Sequence, residues 1–186
     1  MAANELQEYY AKSRTAWRQW LEKNHAKKTG VWLIYYKKNS GKPSVPYAEA
    51  VEEALCFGWI DSIMKPVDDA QYKQKFTPRN PKSEWSALNK SRVEKLRREG
   101  KMHASGEAAI KAAMESGGWT KIDHVENLEV PADLQKAFAR NKKAALHFEK
   151  LSKSVKKQWL HRLGSAKLPD TRKRRIEQIL QLVKNV

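Results

Sequence analysis

The run Val31-Trp32-Leu33-Ile34-Tyr35-Tyr36, directly after Gly30, leaves this chain little freedom of fold class. Its residues are β-branched, aromatic or aliphatic, and six of them are too few for a stable helix, so the run predicts a strand. A strand needs partners to bury its apolar face. Two later segments, Ile60 to Val67 and Gln71 to Thr77, alternate loosely, with Pro66-Val67-Asp68-Asp69-Ala70 between them. They predict a β-hairpin pairing with the first strand.

Helical signals surround these strands. From Ser13 to Lys28, Trp17, Trp20, Leu21 and Asn24 fall at i, i+3, i+4 and i+7, with Ser13 or Thr15 as N-cap. A second helix starts near Pro46, carries Tyr47, Val51, Ala54 and Leu55 on one face, and stops at Gly58. Ser83 is placed as the N-cap of a helix bearing Trp85, Leu88, Arg92 and Leu96 up to Gly100. Another runs from about His103 to Ser116, and residues 119–130 read as a connector.

After Pro131 the pattern becomes helical throughout. Four short helices are marked by Leu134 and Phe138; by Ala144, Phe148 and Leu151; by Val155, Trp159 and Leu163; and by Ile176, Ile179, Leu180 and Val183 behind an Asp170 cap. The expected fold is α+β: a small antiparallel sheet packed with helices over residues 1–124, then a basic all-helical region over 125–186.

Charge separates the two regions further. The chain of 186 residues carries +16, from 37 Lys/Arg and 21 Asp/Glu. Residues 125–186 hold 15 basic and 6 acidic side chains, a net +9 on a third of the length. Such density keeps a protein soluble, or meets nucleic acid or another anionic surface. Its peak is Arg172-Lys173-Arg174-Arg175 at the start of the last helix, where cations oppose the helix dipole. No apolar run is long enough to cross a bilayer, and no export signal is visible, so the expected location is the cytoplasm.

Several chemistries have no residues to run on. The five His are scattered and Cys56 is the single cysteine, so the sequence predicts no metal site, and it contains no nucleotide-binding glycine loop, so no cofactor is expected. Cys56, inside Ala54-Leu55-Cys56-Phe57-Gly58, reads as a buried structural thiol.

Two tryptophan-bearing turns concentrate the remaining chemistry. In the first, Asp61 reads foremost as a turn former, and the functional alternative is that Trp59 lines a pocket with Asp61 and Ser62 at its mouth. In the second, Arg79 and Lys82 precede the Ser83 helix start, which suits a phosphate or carboxylate, while Trp85 adds stacking surface and Asn89 a polar group. The alternative is an Arg79–Asp61 pair clamping loop to sheet over two core indoles. Binding of a small anionic ligand or a protein partner is favoured over catalysis. A nucleic-acid contact through the basic helices, and a hydrolase or transferase with Asp61 as general base and Arg79 steadying an anion, are the alternatives.

With these residues in view, the chain resembles the YdeI/OmpD-associated, or bacteriocin-protection, family. The resemblance rests on Trp17-x-x-Trp20-Leu21-x-x-Asn24-His25, on Tyr47-x-Glu49-Ala50-Val51-x-x-Ala54-Leu55-Cys56-Phe57-Gly58-Trp59-Ile60-Asp61-Ser62, and on Phe76-Thr77-Pro78-Arg79 with Lys82-Ser83-x-Trp85-Ser86-x-x-Asn89. It continues through Gly100-x-Met102, Gly106, Val130-Pro131-Ala132-Asp133-Leu134, Ser165-Ala166-Lys167 and Thr171-Arg172-x-Arg174-Arg175-Ile176. It implies a role in tolerance of antimicrobial peptides or bacteriocins, or of stress, and an association with an outer-membrane porin. It implies no reaction, cofactor or catalytic residue.

Overall fold

The structure, a computed structural model, describes residues 6–182. The chain divides into two compact units, Met1–Thr120 and Lys121–Val186.

The first unit is built on a four-stranded sheet of β1 (Glu8–Tyr10), β2 (Val31–Tyr36), β3 (Trp59–Pro66) and β4 (Gln71–Pro78), in the order β1-β2-β4-β3. The architecture is α+β, as the sequence pattern predicts. The sheet is mixed rather than antiparallel throughout, because β1 joins β2 in parallel. Three residues of mixed polarity carry too little periodicity to mark β1 as a strand. The hairpin meets β2 through β4, with Val31 opposite Phe76, Leu33 opposite Gln74 and Tyr35 opposite Tyr72.

Alternation along these strands turns Val31, Leu33, Tyr35 and Phe76 inward, where they are buried against helices. In α1 (Arg14–Asn24), Ser13 caps the first turn by accepting from the Ala16 N–H, and Trp17, Trp20 and Leu21 form the buried face. The helix α2 (Tyr47–Cys56) adds Ala50, Val51, Ala54 and Leu55. It ends at Gly58, whose φ of +74° only glycine adopts without strain, and the Gly58 carbonyl accepts from the Arg79 N–H at 2.9 Å. That bond ties the end of α2 to the end of β4.

The helix α3 (Ala87–Arg98) starts three residues later than Ser83 would place it, because Ser86 is the N-cap and accepts from the Asn89 N–H at 3.3 Å. Ser83 instead donates its hydroxyl to the Asn80 carbonyl at 2.7 Å, in a turn entered through Pro81.

The next helix, α4 (Ala104–Glu115), docks on the end of α2, where the His103 N–H donates to the Cys56 carbonyl at 3.1 Å. A Cβ on Gly106 would stand 2.2 Å from that same oxygen. Gly106→Ala therefore forces the two helices apart, and the expected loss is about 1–3 kcal/mol. Urea denaturation measures it; an unchanged midpoint would mean that α4 slides away freely.

The second unit consists of α5 (Asp123–Glu126), α6 (Ala132–Arg140), α7 (Lys142–Lys150), α8 (Lys153–Gly164) and α9 (Pro169–Leu180). The short helix α5 lies within the predicted connector. The helices close on Val125, Leu134, Phe148, Leu160, Leu163 and Ile179. Leu168, not Asp170, occupies the N-cap of α9, because Pro169 takes the first helical position and moves Asp170 into the first turn. Val183, expected on this last helix, lies outside the described residues. Among the described residues no helix is long and apolar enough to cross a membrane.

Candidate functional site

The two indoles expected to wall a cleft are interior. Trp59 is 1% exposed, meets the Trp20 ring edge-on at 5.9 Å and donates its indole N–H to the His25 carbonyl at 3.2 Å. Trp85 is also 1% exposed and lies 4.9 Å from the Trp119 ring. Its face is covered by the Arg79 guanidinium, whose central carbon is 3.7 Å from the ring centroid. Neither indole offers a free stacking face: Trp59 at the start of β3 and Trp85 just before the α3 cap gain more from burial than from solvent.

Arg79 is the unusual group. One terminal nitrogen donates to the Glu84 carbonyl, while Nε and Nη1 are buried without a hydrogen-bond partner. Burial pulls the guanidinium down to about 10, and the negative charge of Asp61 acts in the opposite direction. The direct Arg79–Asp61 clamp is not formed, since the Arg79 donors go to Glu84 or to nothing.

Asp61 finds its partners elsewhere. The Tyr47 hydroxyl donates to Oδ2 at 2.7 Å, and Gln74 Nε2 donates to the same oxygen at 3.2 Å and to the Ser62 carbonyl at 2.9 Å. Burial, and then the bond to Asp61, pushes the Tyr47 phenol up to about 12, so it stays a donor at neutral pH. The register between β3 and β4 shifts directly after Asp61, between Asp61/Phe76 and Met64/Gln74. A bulge of this kind re-aims the side chains around it.

Tyr35 completes the group. It is 2% exposed, it stacks on Tyr72 at 5.0 Å, and its hydroxyl is buried without a partner. Its phenol is pushed up first by burial, then by Tyr72, Asp61 and Tyr47, so the hydroxyl shares their surroundings. Arg92 opposes the shift at Tyr47 and donates to Asn89 Oδ1 at 3.1 Å.

The other sequence-expected residues are more peripheral. Ser62 is exposed, with its hydroxyl 3.4 Å from the Lys75 carbonyl, and Lys82 is exposed beside Asn80. The cluster draws instead on Tyr35, Tyr47, Gln74 and Arg92, which the sequence did not mark as site residues. Gln74 carried a signal: it is a polar residue at the inward position between Tyr72 and Phe76. Among the described residues no group of three or more His, Cys, Asp or Glu could hold a metal ion. Cys56 is buried, and burial pushes its thiol up to about 11.

The basic run of the second unit is not exposed as one continuous surface. Arg172 forks onto Asp133 at 2.5 and 2.9 Å, and Arg175 donates to the Arg162 carbonyl and to Ser165 Oγ. Helical spacing turns these two toward neighbouring helices and leaves Lys173 and Arg174 exposed.

Residues 9–109, more than half of the chain, match a family described as a domain of unknown function, DUF8412. The chain belongs to that family. Residues 127–185 match a second family, described as Bacteriocin-protection, YdeI or OmpD-Associated, so the C-terminal unit is of the YdeI/OmpD-associated type. The resemblance drawn over most of the sequence thus divides between two family descriptions, one for each unit. In comparisons with curated proteins and with solved structures, nothing matches.

Proposed function

We propose that this protein is a binding protein whose N-terminal unit takes a small ligand with an anionic group for Arg79 and a hydrogen-bond donor for Asp61. The observation that carries this reading is the pair of buried Arg79 donors, Nε and Nη1, left without partners beside a carboxylate. A buried charged donor without a partner costs stability, and such costs are retained where a ligand offsets them. A carboxylate or phosphate is the natural occupant of a guanidinium fork. The Tyr35 hydroxyl supplies a further unpaired group for a polar substituent. Asp61 and Tyr47, both more open to solvent than Tyr35, form the approach. The family words attached to the C-terminal unit support placing this binding within tolerance of bacteriocins or antimicrobial peptides.

The test is thermal unfolding of the whole chain against a panel of inorganic phosphate, simple carboxylates and amino acids. A true ligand at a hundred times its Kd adds about 2.7 kcal/mol of stability. Arg79→Met is expected to abolish that shift. Tyr35→Phe is expected to weaken binding while leaving the free protein at least as stable, because it removes an unpaired buried hydroxyl. Identical shifts in wild type and Arg79→Met would remove the reading.

A further inference from the structure

The sheet has a second face, and its chemistry differs from that of the first. The alternation that turns Leu33, Tyr35 and Phe76 inward turns Trp32, Ile34 and Tyr36 of β2 and Lys73 and Lys75 of β4 the other way. Register adds Lys65 of β3, opposite Lys73, and Tyr10 of β1, opposite Ile34. Ile34 is buried yet stands apart from the main core cluster, as expected for a residue on this outer face.

Cations and rings converge here. The Lys65 and Lys73 ammonium groups each lie 5.3 Å from the Trp32 ring centroid, and Lys42 lies 4.7 Å from that of Tyr36. Tyr10, 38% exposed, meets Tyr36 edge-on at 5.1 Å. Lys75 is the direct register partner of Trp32. Like charges directly opposite each other, as Lys65 and Lys73 are, destabilise a strand pair. Glu8 bonds Lys73 and is the carboxylate that β1 places opposite Trp32. A sheet that tolerates this repulsion around aromatic rings is complementary to an anion that also has flat faces.

We propose that this outer face binds single-stranded nucleic acid, with Trp32 and Tyr36 stacking bases and Lys42, Lys65, Lys73 and Lys75 meeting phosphates. Base–aromatic stacking with lysines along the backbone is the general chemistry of single-strand binding, and it does not require a particular sequence. Trp32 and Tyr36 are four residues apart on one strand, about 13 Å, a span of about four stacked nucleotides at about 3.4 Å each. A duplex hides its base faces and would be met by the lysines alone. The surface is separate from the Asp61–Arg79 cluster, and the inference does not depend on a ligand there.

The experiment is fluorescence anisotropy of the full chain with labelled 15-mers of dT and rU and with a 15-base-pair duplex, at 50 and 200 mM salt. Both single strands are expected to bind, more tightly than the duplex, with the preference between dT and rU identifying the natural polymer. Trp32→Ala is expected to weaken binding about 5–150-fold, the range that goes with loss of one stacked base. The double variant Lys65→Gln/Lys73→Gln, which spares the rings, is expected to flatten the salt slope by about 1.4, at about 0.7 per phosphate contact. It keeps the proposal open to refutation if Trp32→Ala does not fold. Lys173→Ala/Arg174→Ala is expected to leave oligonucleotide binding unchanged. The inference is overturned by a duplex bound as well as the single strands, by wild-type affinity in the double variant, or by binding to phosphatidylserine vesicles with none to oligonucleotides.

Discussion

Trp17→Ala is expected to cost the N-terminal unit about 3–5 kcal/mol, a large part of what a domain of this size has in total. The reason is position. Trp17 is fully buried and joins four elements at once. It stacks on Tyr9 of β1 at 6.2 Å and on Trp20 of its own helix at 5.1 Å, and it packs on Phe76 of β4 at 5.3 Å. Its indole N–H donates to the Ala50 carbonyl of α2 at 3.0 Å. Alanine would leave a cavity among three aromatic rings and remove a donor from a buried carbonyl. Trp17→Phe keeps a six-membered ring in the stack while losing the bond and the pyrrole half of the indole, for about 1–3 kcal/mol. Urea denaturation followed by circular dichroism measures both. A loss under about 1 kcal/mol for the alanine variant would mean that this aromatic stack does not hold the unit together.

The second large effect is expected at Glu53, a carboxylate 2% exposed between two arginines. Its Oε1 accepts from Arg14 Nε at 2.6 Å and its Oε2 from Arg18 Nη1 at 2.7 Å, so α2 is pinned to α1 by charge as well as by packing. Burial pulls both guanidiniums down, and the Glu53 carboxylate outweighs that pull, so both end up raised. Glu53→Ala takes from both arginines their most buried partner, leaving Arg14 with Glu52 at 2.9 Å and Arg18 with Glu22 at 3.3 Å and the Lys101 carbonyl. Removing one partner of a buried pair typically costs 3–5 kcal/mol, and about 3 is expected here because both arginines keep some exposure. Glu53→Ala combined with Arg14→Met and Arg18→Met is expected to recover much of the loss, because cationic charge left without its most buried partner causes most of it. A triple variant no more stable than the single one would show that the carboxylate contributes through packing instead.

Two members of the candidate site, Asp61 and Arg79, were legible in the sequence, and the rest were not. Asp61 and Arg79 stood out because charged residues beside Gly58 and Pro78 sit where elements end. Tyr35, Tyr47 and Gln74 did not, because each looks like an ordinary member of its own strand or helix. Only the pairing of Leu33 with Gln74 and of Tyr35 with Tyr72, with the bulge after Asp61, gathers them at one place. The reading of Trp59 and Trp85 as pocket walls failed for a related reason: an indole in a turn-rich segment looks the same in sequence whether it faces solvent or core.

The sequence alone determined most of the helices and strands, though not β1 or α5. Trp17, Trp20 and Leu21 share a helical face, Ser13 caps it, and Val31 to Tyr36 extend, because those outcomes depend on neighbours within one or two turns of chain. Tertiary structure alone decided which strands meet, that β1 runs parallel to β2, that Ser86 rather than Ser83 starts α3, and that Arg79 lies over Trp85 with two donors unspent. These depend on contacts between residues far apart in the chain, and their energies exist only once the register is set.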